Sequence, residues 1–346
     1  MLVREAKEIA RAWVDAASTS IPGFQGAFYH GSVNWLSDDA VLPATSDLDV
    51  MIVLDDTSVP DKPGKLVYCG LLLEASLIAA DELQSPEQVL ARSDLAGSFA
   101  APGVIADPTG QLTELQDAVS RDYAKRRWVH ARCEHAQAKV INNLQALKSA
   151  ELFHDQVTYW LFATGVTTHV LLVAGLQNPT VRKRYSDARR LLAEYGRLDF
   201  YESLLTLLGC ERMSRGRVEA HLVSMAEAFD AAAAVIESPF FFASDISALA
   251  RPIAVDGTRK LIECGEHREA VFWVVATYAR CQKVLFHDAP VDVKEEYNPG
   301  FRALLEDLGI TSTADLHRRG NEVRDFLAPV WEMAEQIMVV NPRIEK

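Results

Sequence analysis

Ala27-Phe-Tyr-His30-Gly31-Ser32, then a loop, then Ser46-Asp47-Leu48-Asp49-Val50-Met51-Ile52-Val53 carry the organisation of the first part of this chain. Ala27 to His30 is a short β-rich run ending at a Gly-Ser turn, and Asp49 to Leu54 is mostly apolar, as a strand buried on both faces would be. Both are expected in the centre of a sheet. In a strand rising ~3.3 Å per residue, Asp47 and Asp49 share a face with Cα atoms roughly 6.6 Å apart, while Leu48 and Val50 take the other face. Two carboxylates side by side at a strand's entry suit a hard divalent cation. Mg2+ takes oxygen ligands and commonly binds through one or two carboxylates plus substrate phosphates.

Further along, Asp61-Lys-Pro-Gly-Lys65 is a turn cluster, and Leu66 to Ala79 is a third extended run with Gly70 at a bulge position, giving an antiparallel hairpin. Within that run Glu74 stands alone among apolar residues. Burying a lone ionised Glu is costly, and the cost falls if Glu74 faces the Asp pair and shares their cation, or takes a proton from an attacking hydroxyl. Ser85-Pro-Glu-Gln88 carries an N-cap Ser and a Pro at the first helical position, so a short helix starts there. Gly103 to Asp107 predicts a last strand, closed by the Asp107-Pro-Thr-Gly110 turn. At the start of the chain, Leu2, Ala6, Ile9, Trp13 and Ala17 keep helical spacing, and the charges among them are unlike a signal peptide.

After Gly110 the pattern changes to helix after helix. Gln111 to about Ala150 predicts one long helix, or two in line, bridging a first domain, 1–148, and a second, 149–346. Further helices are expected at 156–176, 180–195, 217–236, 266–286, 301–308 and 314–339. The fold class is therefore α+β, with a small mixed sheet in the first domain and an all-α helical bundle in the second.

Of 346 residues, 49% are hydrophobic and 24% charged, which excludes a disordered or fibrous chain. Acidic residues number 48 against 35 basic, a formal net charge of −13, which argues against nucleic acid or an anionic membrane as a partner and favours cationic ones. Cys69, Cys133, Cys210, Cys264 and Cys281 are scattered, so neither a disulfide framework nor a zinc site is expected, and the reducing cytoplasm is the expected compartment. The most apolar stretch, Val166 to Leu176, is interrupted by Thr167-Thr-His169 and falls short of the ~20 residues of a membrane span.

Several other clusters carry two readings. Lys183 and Arg184, after the Asn178-Pro179 break, are candidates to grip a triphosphate at a helix start, against an equally available solvated basic face. Arg126, Arg127 and Arg132 read as a solvated face. Asp155, Tyr159 and Trp160 share a helix side that could meet a cation, although core packing of the aromatics is the simpler reading. His130 and Glu134 share a face, but no second His falls at metal-ligand spacing. P-loop, GxGxxG and GxSxG patterns are absent.

Taken together, the turn, the Asp-x-Asp and the later Glu resemble the nucleotidyltransferase superfamily of the DNA polymerase β-like fold, nearest to the aminoglycoside and antibiotic adenylyltransferases. Gly31 and Ser32 match the family's Gly-Ser turn, Asp47 and Asp49 its metal-binding pair, and Glu74 its third acid. Ser46 resembles the Ser that precedes the first Asp in many antibiotic adenylyltransferases. The match covers about residues 27 to 78, and departs in its loop, where fourteen residues, Val33 to Ser46, separate Ser32 from Asp47. The resemblance implies two Mg2+ ions on Asp47, Asp49 and Glu74, with ATP on Gly31, Ser32 and Ser46. It implies an enzyme that moves AMP from MgATP to a hydroxyl of a small, cationic, aminoglycoside-like molecule and releases pyrophosphate. The alternatives are a transferase acting on protein or RNA, and a non-catalytic nucleotide-binding or toxin-neutralising module on the same fold.

Overall fold

Val3, Ala6, Ala10 and Val14 form one buried stripe along the first helix, α1 (Val3–Ser18), in a computed structural model that describes residues 1–55 and 63–346. That stripe packs on a five-stranded mixed sheet. Its strands are β1 (Phe24–His30), β2 (Leu48–Leu54), β3 (Gly64–Tyr68), β4 (Leu71–Ala79) and β5 (Val104–Ala106), in the order β3-β4-β2-β1-β5. β2 and β4 run parallel, and the other neighbouring pairs are antiparallel.

Alternation divides the sheet into two faces. Ala27, Tyr29, Leu48, Val50, Ile52, Leu73 and Ala75 join the α1 stripe in one core. On the other face Phe28, Val53 and Ile78 pack with Leu90 of α2 (Pro86–Ala91) and with Leu112, Leu115 and Val119 of α3 (Gln111–Asp122). On this second face the same alternation also carries His30, Asp49 and Glu74, each half-buried.

The run expected as one strand, Leu66 to Ala79, is two. Cys69 at φ 47° and Gly70 at φ 78° make a two-residue turn with both residues left-handed, the geometry that matches the twist of a hairpin, so Gly70 is a turn residue and not a bulge. Of the expected turn cluster before it, Asp61 and Lys62 lie outside the described residues. Ser85 caps α2 as its sequence predicts, its hydroxyl accepting from the Gln88 amide at 3.2 Å.

The described residues fall into two compact units, one of Met1–His135, Leu176–Pro179 and Val340–Lys346, the other of Ala136–Gly175 and Thr180–Val339. The chain first crosses between them within α4 (Arg126–Ser149). The second unit is built from the rest of α4 with α5 (Phe153–Ala174), α6 (Arg184–Glu194), α7 (Leu198–Leu208), α8 (Arg215–Val235), α9 (Gly257–Glu263), α10 (His267–Asp288), α11 (Val291–Asp307), α12 (Thr313–Asp325) and α13 (Leu327–Val340). The α+β class holds, a mixed sheet in the N-terminal part and helices after it.

In the helical unit α7 and α9 are additions to the elements expected. The expected helix over 314–339 is broken at Phe326 into α12 and α13. α6 begins at Arg184, not at Thr180. α11 starts at Val291 and keeps Pro299 inside it. There the Tyr278 hydroxyl and the Gln282 amide of α10 donate to the Tyr297 carbonyl at 3.1 and 3.2 Å.

α5 runs through the core of this unit. Its buried Thr164, Thr167 and Thr168 hydroxyls donate to the carbonyls of Trp160, Thr164 and Gly165 at 2.8, 2.6 and 2.7 Å, which satisfies them inside their own helix. By length and composition α5 is apolar enough to cross a membrane, which corrects the shorter run read from the sequence. Its most apolar window is 78% buried within the protein.

Candidate functional site

Strand register brings the site together. His30 stands opposite Asp49, Asp49 beside Glu74, and Glu74 opposite Lys65, so four adjacent strands deliver one row of side chains to one face. Asp47, two residues ahead of Asp49, joins the row just before β2 begins. Oxygens of Asp47, Asp49 and Glu74 lie within 4.8 Å of one another, and all three residues are half-buried. Like charges this close repel, so the array calls for positive charge.

Lys65 supplies it. Its ammonium donates to Asp47 Oδ2 at 2.5 Å and to Glu74 Oε2, and its side chain is only 5% exposed. The donor set around it consists of hard carboxylate oxygens, the ligand chemistry of Mg2+ or Mn2+ and not of a thiol- or imidazole-seeking metal. The residues present therefore fit a divalent cation.

The Gly-Ser turn lies against the same row. Gly31 has φ 66°, and a Cβ built on it would overlap Asp49 Oδ2, so only glycine lets the turn approach that carboxylate. The turn is pinned by buried Val33 and by Asn34, whose amide donates to the Tyr29 carbonyl at 2.7 Å. Ser32 is exposed beside Gly31, and half-buried Ser46 leads into Asp47 with its amide on the Pro43 carbonyl at 3.0 Å. His30 Nδ1 lies 2.7 Å from Ser98 Oγ, and burial pushes the His30 pKa below the ordinary histidine value against the opposing charges of Asp94 and Glu74.

Lys183 and Arg184 belong to the helical unit. Arg184 is 1% exposed, its guanidinium lies 3.9 Å from the centre of the Phe272 ring, and its Nε donates to the Val181 carbonyl at 2.8 Å. Burial lowers its pKa to about 9. This corrects the sequence expectation: Arg184 is a core residue, not a grip for solvent-borne phosphate. Lys183 is exposed and 3.9 Å from Asp187. Arg132, read as part of a solvated face, is also buried and donates to the Leu90 and Tyr123 carbonyls at 3.1 and 2.6 Å. Asp155 is held by Lys283 at 2.8 Å, and Trp160 is a core residue as the simpler reading had it.

Lys65 is the site residue that reading along the sequence missed. A signal for it existed: a two-residue hairpin tip at Cys69-Gly70 puts Tyr68 opposite Leu71 and, counting back, Lys65 opposite Glu74. No protein-family model matches this chain, and no curated protein matches it either.

Proposed function

We propose that this protein is a metal-dependent nucleotidyltransferase that moves AMP from ATP to a hydroxyl of a small cationic molecule. The observation that carries the reading is the convergence of the Asp47, Asp49 and Glu74 oxygens within 4.8 Å on one face of the sheet, beside a glycine turn that could take no larger residue. An all-oxygen set of this kind would hold Mg2+, which when bound offsets charge on the phosphate oxygens. The chain's own residues do the rest. The Gly31-Ser32 turn offers a backbone amide and an exposed hydroxyl to the phosphates, with Ser46 at the entry to the acid pair. Glu74 is the candidate to accept the acceptor's hydroxyl proton as that oxygen bonds to the α-phosphorus; the bond from the α-phosphorus to the bridging oxygen breaks and pyrophosphate leaves. The net charge of −13 supports a cationic acceptor.

One observation favours a second reading. Lys65 already gives Asp47 and Glu74 a counter-charge, as a non-catalytic nucleotide-binding module would need. Pyrophosphate release from ATP and Mg2+ over a panel of aminoglycosides and other small polyols separates the two. Acceptor-dependent release that falls by about a thousandfold or more in Asp49→Asn, with an unchanged circular dichroism spectrum, is the expected result, a loss on the scale of removing a group that stabilises transition-state charge. Release undiminished in Asp49→Asn would show that the chemistry lies elsewhere.

A further inference from the structure

Lys65 sits where a metal would have to bind. Its ammonium is nearly buried, it comes from the edge strand β3, and it bridges two of the three carboxylates that the proposed function assigns to a divalent cation. Among the described residues, three carboxylates and one ammonium sum to a formal −2, the charge that one divalent ion balances and two would overshoot. An ammonium and a divalent cation on the same two oxygens repel each other in a half-buried site. We propose that Lys65 is a resident counter-cation: it holds Asp47 and Glu74 together in the metal-free protein, and a divalent ion enters only as Lys65 gives up at least one of them. Affinity for the bare ion is kept low, and the negative phosphates of an arriving nucleotide favour the exchange. The inference rests on the acids being a metal site, as the proposed function holds.

The test is Mn2+ binding by the full chain without nucleotide, read from the electron paramagnetic resonance signal of free Mn2+. Lys65→Met is expected to bind Mn2+ about tenfold tighter or more, a modest share of what removing one nearby positive charge can do. Lys65→Arg keeps the charge and should stay close to wild type, and adding Asp49→Asn to Lys65→Met should abolish the gain. A second readout needs no variant: saturating Mn2+ should raise acetylation of Lys65 by an amine-reactive reagent, followed by mass spectrometry. Equal Mn2+ affinity in Lys65→Met and wild type, or Lys65 labelling unmoved by Mn2+, overturns the proposal. If neither protein binds Mn2+, the metal site and this role fall together. If Lys65→Met behaves as expected but no nucleotide is transferred to any acceptor, the counter-cation role stands and the transferase reading falls.

Discussion

Gly31 and Gly70 both hold left-handed backbone, at φ 66° and 78°, yet they answer to different constraints. A Cβ at Gly70 meets nothing within 4 Å, so Gly70→Ala bears only the backbone cost of about 1 kcal/mol and should leave cation binding untouched. A Cβ at Gly31 collides with the Asp49 carboxylate as well. Gly31→Ala is expected to lose about 1–3 kcal/mol of stability in urea titration and to weaken Mn2+ binding, because the carboxylate must move away from its neighbours. Equal Mn2+ binding in the two variants would show that the turn does not shape the acid site. At this scale most of the acid cluster was legible. Asp47 and Asp49 are marked by the two-residue period of a strand, and Glu74 by standing alone in an apolar run. Lys65 escaped because its meaning depends on where the hairpin turns, and reading Leu66 to Ala79 as one strand with a bulge hid that point.

Among the elements, α5 and α10 meet at a glycine. Gly165 is as close to Phe272 and Arg184 as a backbone can come: a Cβ there would overlap the Phe272 ring and lie 2.8 Å from Arg184 Nη1. Alanine is the better helix former by about 1 kcal/mol, so an exposed Gly→Ala would stabilise. Here the ring is fully buried. Gly165→Ala is therefore expected to lower stability by about 1–3 kcal/mol, the usual cost of overpacking, and to lower the melting temperature. A higher melting temperature would mean the α5–α10 contact is looser than its geometry. The same crowding explains Arg184, which the sequence presents in a basic run. Charge along the chain does not tell which residue a helix turns inward, and its guanidinium lies on Phe272.

The whole molecule has a pH dependence built from buried and half-buried histidines in both units. In the helical unit burial lowers His154 to about 4, with Lys283 and His287 acting in the same direction and Asp155 against them. Burial lowers His169 well below its ordinary value, aided by Arg184 and Lys139 and opposed by its bond to the Thr180 carbonyl. His30 in the first unit shifts the same way. For each, the unfolded chain binds a proton at higher pH than the folded chain does. The stability these groups contribute is thus complete above about 6.5 and is lost as pH falls toward their folded values. For His154, from 6.5 to about 4, this amounts to about 3 kcal/mol. The urea midpoint is expected to drop between pH 7 and pH 5, before most carboxylates titrate. A midpoint that holds or rises over that range would show that these imidazoles are hydrated in the folded protein.

Features that repeat within one element could be read along the chain. The alternation in β2 and β4, the Ser85 cap and the long apolar spacing of α5 follow from pleat, turn and helix geometry, which neighbouring residues set among themselves. The α+β organisation follows from the change in that geometry after Gly110. What depends on a segment returning alongside another was not readable in the same way. The row from His30 to Lys65 needs four strands in one register, and Arg184 needs a glycine on α5 and a ring on α10 to make its buried place. Register slips by one residue would turn the acids to the opposite face, and it is hairpin turns and core packing over long separations that forbid the slip.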